Sequence, residues 1–234
     1  MIFAMRIMPL LLALAAAAPA TAAERRYTIT DFDRVEVDGP FQVSLTTGLA
    51  SGARAVGSQG AIDRLSVEVQ GRTLRIRVNR SSWGGYPGDA TGPVRIEATT
   101  RELRSGAVVG SGGLAIDKAK GLRVDLSVSG SGQVSLANAD TDNLVIGLLG
   151  SGRISAAGRT KQLKATIQGS GDFDGSGLKS DDANIIADTA GTVRVAAART
   201  AKVRATGPGD VEVLGTPSCT VEALGSGGVK CGRR

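Results

Sequence analysis

The amino-acid sequence predicts an all-β fold: a right-handed parallel β-helix (solenoid) of about 20 residues per rung, with a less regular N-terminal β region. The main observation is a short turn that occurs seven times, at steps of 20, 20, 19, 20, 18 and 18 residues. Its copies, most of which read Gly-Ser-Gly, occupy residues 110–112, 130–132, 150–152, 169–171, 189–191, 207–209 and 225–227. A fixed period of this length is typical of solenoids, in which each repeat buries its apolar face against its neighbours.

Apolar and polar residues alternate on both sides of each turn, which is the period of a half-buried strand. Relative to the last glycine of the turn, the positions four before and two after are apolar in every copy. These are Val108, Val128, Leu148, Ile167, Ala187, Ala205 and Ala223 before the glycine, and Leu114, Val134, Ile154, Phe173, Val193, Val211 and Val229 after it. We therefore expect each set to form one column of the interior, to which every rung supplies one residue.

The last residue of the turn is glycine in all seven copies, whereas the first two positions vary. The invariant set is Gly112, Gly132, Gly152, Gly171, Gly191, Gly209 and Gly227. Glycine adopts positive φ at little cost, and other residues do not. The pattern therefore predicts positive φ at these seven structural turn glycines.

The chain divides into a predicted signal peptide and one domain. Residues 1–23 carry Arg6, an apolar run over 7–18 and small residues before a cleavage site, which is typical of secretion signals. Residues 24–104 predict irregular β coils that cap the solenoid, including a short helical turn over 60–65, and residues 105–234 predict the regular repeat. Because no other stretch is long and apolar enough to cross a bilayer as a helix, we expect export to the periplasm, cell surface or medium.

One segment resembles a known family. Residues 32–45, FDRVEVDGPFQVSL, followed by stacked Gly-Ser-Gly rungs, resemble the bacterial auto-transporter adhesin head domain, called the GIN domain. The resemblance covers nearly all of the chain after the signal peptide. It implies an exported β-helical domain with an adhesin-like role.

The segment 81–89 contains Trp83, the single tryptophan, and Tyr86, one of two tyrosines. Exposed loops on rigid scaffolds carry binding sites, so Trp83 and Tyr86 are candidate ligand contacts. The alternative is that Trp83 plugs the solenoid core, with its indole N–H bonded to a partner.

The net charge is +6, and basic residues cluster around one predicted strand that contains Arg75 and Arg77. Exposed arginines at alternate positions predict a basic stripe, which makes Arg75 and Arg77 candidate contacts for an anionic polysaccharide or another envelope component. The alternative is a solvated strand face. Nucleic acid is not expected as a partner, since the chain is exported and stacking aromatics are scarce.

The sequence does not indicate catalysis, a metal or a cofactor. It contains no histidine, and its aspartates at 172, 174, 181, 182 and 188 fall into columns that alternate in sign, such as Asp174, Arg194, Glu212 and Lys230. Charges at rung spacing stabilise neighbouring strands, whereas catalytic carboxylates sit together. We therefore predict a cell-envelope binding or structural module. A carbohydrate-active enzyme, a lyase or glycosidase on a β-helix, is the alternative function.

Cys219 and Cys231 are the only two cysteines. Export places them in an oxidising compartment, and the repeat alignment points both side chains inward at the same distance from Gly225. The sequence therefore predicts a disulfide that closes the last coil.

Overall fold

The fold was determined as a computed structural model that describes residues 23–79 and 94–233. The predicted signal peptide, apart from Ala23, lies outside the described residues, as do Trp83 and Tyr86. The described residues form one helix, α1 (Gln59–Asp63), and seventeen strands. The strands are β1 (Ala23–Tyr27), β2 (Arg34–Asp38), β3 (Gln42–Thr47), β4 (Gly52–Gly57), β5 (Leu65–Gln70), β6 (Thr73–Val78), β7 (Arg95–Thr100), β8 (Ser105–Gly110), β9 (Gly113–Ile116), β10 (Ala119–Gly130), β11 (Gln133–Gly150), β12 (Arg153–Gly169), β13 (Asp172–Thr189), β14 (Val193–Ala205), β15 (Val211–Leu214), β16 (Ser218–Ala223) and β17 (Val229–Arg233).

The strands stack as a parallel β-solenoid of about 6 turns spaced about 20 residues apart, which confirms the predicted fold class. One interior column illustrates the register: its members pair in sequence from β10 to β14 and are all buried, namely Leu126, Ile146, Ala165, Ile185 and Val203. Because equivalent positions pair from rung to rung, apart from local register shifts such as that between Leu136 and Ala139, the apolar columns form one continuous core along the solenoid.

The N-terminal rungs are stacked out of sequence order. Strand β2 pairs in parallel with both β6 and β8, and β3 pairs in parallel with both β7 and β9. The rung formed by β6 and β7 is therefore the outermost one, and antiparallel strands add to it: β5 on β6, β4 on β7, and β1 on β4. At this end α1 packs Ala61 and Ile62 into the core, and its N-cap Ser58 accepts a hydrogen bond from the Ala61 backbone.

The prediction that the last glycine of each turn holds positive φ is wrong. In the first four turns it is the first glycine that does so, as at Gly150 (φ 117°), while the last glycine has positive φ in none of the seven. The last glycine is required for a steric reason. A Cβ at Gly152 would lie 2.4 Å from the carbonyl oxygen of Gly132 in the preceding rung, and this distance falls to 2.0 Å at Gly209 and Gly227. Close stacking of rungs, rather than backbone handedness, excludes a side chain there.

The last coil consists of β16 on β14 and β17 on β15. Cys219 and Cys231 form a disulfide across it, with Cα atoms 6.5 Å apart, as the sequence predicted. Cys219 stands opposite buried Ala201 in the register, so it belongs to an interior column. Interior-column residues of this coil are nevertheless exposed, including Val221 at 43%, because no further described rung covers them.

Candidate functional site

One regular surface of the solenoid is the outer side of a nine-stranded parallel sheet, which we call the outer face. Its strands run in the order β6-β2-β8-β10-β11-β12-β13-β14-β16. Side chains of equivalent outward positions form columns with one residue per rung, about 4.8 Å apart. The outer face therefore holds chemical groups at a fixed spacing on a rigid support.

Arg75 and Arg77 lie at one end of the outer face, on β6. Arg75 Nε is 3.4 Å from Glu36 Oε2, and its guanidinium also donates a hydrogen bond of 2.9 Å to Gln70 Oε1. Arg77 Nη2 is 3.5 Å from Glu68 Oε2. Since each guanidinium faces a carboxylate, this part of the surface has little net positive charge. A ligand role for Arg75 and Arg77 stays a prediction, as it does for Trp83 and Tyr86.

A groove of about 400 Å³ crosses the middle of the outer face. Two adjacent columns line it: Asn143, Gln162, Asp182 and Thr200 in one, and Val145, Lys164, Asn184 and Lys202 in the other. We call the three amides and two lysines of these columns, Asn143, Gln162, Asn184, Lys164 and Lys202, the lysine–amide groove.

The acidic groups beside the groove are already paired. Arg123 donates hydrogen bonds of 2.8 and 3.0 Å to the two carboxylate oxygens of Asp125. Asp182 accepts hydrogen bonds from the Thr200 hydroxyl (2.7 Å) and from Arg199 (2.6 Å), and both lower the pKa of its carboxyl. Asp125 and Asp182 are therefore paired with neighbours other than the groove lysines.

The polar groups of the groove itself are largely unpaired. Within residues 23–79 and 94–233, neither Lys164 nor Lys202 has an ion pair or side-chain hydrogen bond, and the same holds for the amides of Gln162 and Asn184. Asn143 uses one donor, a 3.2 Å hydrogen bond to the carbonyl of Leu122. The groove thus presents ammonium and amide groups to solvent and to a ligand.

Two depressions with about twice the volume of the groove are less suited to binding. One, of about 800 Å³, adjoins the groove at Arg123, and its carboxylate Glu102 is 3.1 Å from Arg104. The other, of about 770 Å³, contains the pair of Arg77 and Glu68. In both, charged groups already contact one another and are less available to a ligand.

Two of the aspartates considered for catalysis, Asp172 and Asp174, are hydrogen-bonded within the fold. Asp172 accepts 2.8 Å hydrogen bonds from the Thr192 backbone and from Arg153, and both lower its pKa. Asp174 accepts hydrogen bonds from the hydroxyl and backbone of Ser176, which also lower its pKa. A general acid needs a raised pKa, so these two carboxylates are poorly suited to that role. Among the described residues no group of acidic or cysteine side chains is arranged to hold a metal ion.

A family model described as "Putative auto-transporter adhesin, head GIN domain" matches residues 31–217. The chain belongs to this family. No curated protein matches the sequence. Within the described residues, the GIN domain has no helix of the length and apolar character needed to cross a membrane.

Solved structures share the GIN-domain fold. A putative adhesin from Bacteroides fragilis is 16% identical with a TM-score of 0.79, and 90% of this chain covers 97% of it. A protein from Parabacteroides distasonis named as a putative lipid binding protein is 22% identical, with a TM-score of 0.69 and coverage of 90% and 97%. A putative adhesin from Parabacteroides merdae is 17% identical, with a TM-score of 0.67 and coverage of 92% and 98%. At these identities the likeness shows the fold alone, and none of the three is named as an enzyme.

Sequence reasoning did not single out the lysine–amide groove of this GIN domain. The signal was present in the repeat alignment: Lys164, Asn184 and Lys202 stand seven residues before Gly171, Gly191 and Gly209. Only the observed register shows that no carboxylate faces these lysines.

Proposed function

We propose that this GIN domain is an exported, adhesin-like binding module of the cell envelope and that its ligand is a glycan bound on the outer face. The observation that carries the proposal is the lysine–amide groove, where unpaired amide and ammonium groups line a cavity on a rigid sheet. Amides donate and accept hydrogen bonds, which suits the hydroxyl groups of sugars. Because the rungs fix the backbone beneath these residues, binding orders only their side chains and no loop. The predicted signal peptide supports export.

Two other ligand classes fit the groove less well. An extended peptide gains affinity by pairing its backbone with an open strand edge, whereas the backbone groups beneath the groove are already paired on both sides in the parallel ladder. A lipid tail needs an enclosed apolar cavity, whereas this groove lies open on the outer face and carries unpaired amides and ammonium groups among its lining residues. The catalytic alternative receives no support from the lowered pKa values of Asp172 and Asp174.

A glycan array probed with purified residues 24–234 tests the proposal, followed by isothermal titration with the polysaccharides that bind. The double variant Gln162→Ala/Asn184→Ala should weaken binding about tenfold, since each lost hydrogen bond contributes about 0.5–1.5 kcal/mol. Gln133→Ala is the control, because Gln133 is an exposed amide on β11 that does not line the groove. Failure of the domain to bind any glycan, or release of soluble sugar products, would contradict the proposed function.

A further inference from the structure

The structure assigns an acidic polysaccharide to the lysine–amide groove: we propose that Lys164 and Lys202 bind two anionic groups of a carboxylated glycan chain that runs along the solenoid axis. This inference rests on the proposed function and specifies its ligand class. The proposed anion-binding surface lies in the middle of the sheet. It differs from the predicted stripe at Arg75 and Arg77, where carboxylates face the guanidinium groups.

The charge pattern of the outer face is interrupted at the two groove lysines. Elsewhere on this face, cations face anions on the same or the next rung, as in Arg123 with Asp125 at 2.8 Å and Arg204 with Glu222 at 3.7 Å. The column of Lys164, Asn184 and Lys202 breaks this pattern, because it places an amide between two lysines. No carboxylate of the described residues lies within 4 Å of either lysine.

The ion pairs within the fold use arginine far more than lysine. Arginine supplies the cation in the ion pairs among the described residues, apart from Lys161, whose Nζ is 2.8 Å from Asp142. Arginine suits such internal contacts because its planar fork binds carboxylates in a fixed geometry. Lys164 and Lys202 stand outside this network, so their exposed ammonium groups stay available to a ligand anion.

The spacing between Lys164 and Lys202 suits an extended glycan chain. Lys164, Asn184 and Lys202 lie on three successive strands, so the two lysines are two rungs, or roughly 10 Å, apart. One pyranose in an extended chain spans close to one rung. A glycan along the axis with an acidic group on every second sugar would therefore match both lysines, and the sugar between them would face Asn184. Two like charges at this distance repel weakly in water, and a bound anionic chain removes that repulsion.

The groups beside the two lysines also suit an anionic ligand. Gln162 lies two residues before Lys164 on β12, on the same side of the strand, and its unpaired amide lines the groove. Asp182, the nearest carboxylate lining the groove, is occupied by Arg199 and Thr200. An incoming anion therefore meets two cations and hydrogen-bonding amides, and the charge of Asp182 is offset by Arg199.

The test compares polygalacturonate, its methyl-esterified form and dextran as probes of residues 24–234. Lys164→Gln/Lys202→Gln removes both groove charges, and the control Lys118→Gln/Lys179→Gln removes two exposed lysines from outside the groove. Both variants lower the net charge by the same amount. We expect the unmodified domain to prefer polygalacturonate, the groove variant to bind it about tenfold more weakly, and the control to bind it as the unmodified domain does. Binding should also weaken as salt is raised, because salt screens exposed charges.

Each other outcome overturns the inference, and the proposed function is judged separately. Equal binding of dextran and polygalacturonate, unaffected by salt or by the groove variant, would remove the acidic ligand and leave glycan binding intact. An equal loss in the control would show that diffuse charge, not the groove, attracts the polymer. Binding to vesicles of anionic lipid that competes with polygalacturonate would indicate a membrane surface instead. Absence of binding to every glycan tested would reject both the inference and the proposed function.

Discussion

Replacing Gly152 by alanine should destabilise the solenoid through a clash between rungs. The new Cβ would lie 2.4 Å from the carbonyl oxygen of Gly132 and 2.6 Å from a methyl of Val128, whereas ordinary contacts begin at 3.4 Å. The oxygen must therefore move by about 1 Å. It accepts a 3.0 Å hydrogen bond from the backbone of Arg153, so relief of the clash strains the ladder between the two rungs.

The cost follows from these two contacts. Overpacking a well-packed interior costs about 1–3 kcal/mol, and a weakened backbone hydrogen bond adds about 1 kcal/mol. We expect Gly152→Ala to lower the free energy of unfolding by about 3 kcal/mol. For a domain of this size, that corresponds to a fall in Tm of roughly 6–12 °C.

Gly147→Ala is the matched control, on strand β11 just before the turn that contains Gly152. A Cβ at Gly147 would meet only the Ser127 side chain, at 3.9 Å, and its φ is not positive. Alanine there should leave stability unchanged or raise it by about 0.5 kcal/mol, since it restricts the unfolded chain. Thermal unfolding followed by far-ultraviolet circular dichroism measures both variants. A Gly152→Ala protein that melts within about 1 °C of the unmodified domain would refute the steric account, as would an equal loss in Gly147→Ala.

Three further predictions concern other parts of the molecule. Reducing the bond between Cys219 and Cys231 should lower stability by about 3 kcal/mol or less in the chain-entropy model, with faster hydrogen exchange confined to the last coil; unchanged exchange there would contradict it. The pKa values of Asp172 and Asp174 are lowered in the folded state, so their contribution is complete above the unfolded pKa near 4 and is lost as pH falls through the lower folded values. Tm should therefore drop as pH falls below about 4, and the drop should be smaller in Asp172→Asn. If Trp83 contacts ligand, iodide should quench its fluorescence and a bound glycan should protect it; a tryptophan that iodide cannot reach is instead a core plug.

The period of the sequence was sufficient to predict the solenoid and its interior columns, because these features repeat and seven copies report the same local structure. The disulfide was predicted from the cysteine count, the expected export and the positions of both cysteines in the repeat alignment. The conformation of the turn was predicted wrongly from the same alignment. An invariant glycine records that a side chain is excluded, and both positive φ and close stacking exclude one. At Gly150 both causes act, since φ is positive and a Cβ would also lie 2.5 Å from the Gly130 carbonyl oxygen, whereas at Gly152 only close stacking acts.

The order of the N-terminal rungs was beyond sequence reasoning for a related reason. Strand β2 inserts between β6 and β8, so the rung that comes first in the sequence is second in the stack. Strands that pair in sequence order produce a constant period in the sequence. The order of the N-terminal rungs depends instead on contacts between distant segments. The same insertion places Glu36 opposite Arg75. An arginine of the predicted basic stripe therefore faces a carboxylate in the structure.

The candidate site illustrates where information about function lies in a repeat protein. Interior columns hold similar apolar residues in every rung because each must fill the same space, so they report the fold. Outward columns are free to differ from rung to rung, and most cations on the outer face are opposed by a neighbouring carboxylate. Lys164 and Lys202 differ from that background because the rung between them supplies Asn184 where a carboxylate would stabilise the stack. Two exposed like charges left unopposed forgo a stabilising pair of about 0.2–1 kcal/mol at each contact. A requirement for those charges to meet a ligand accounts for the departure, and the groove variants test it directly.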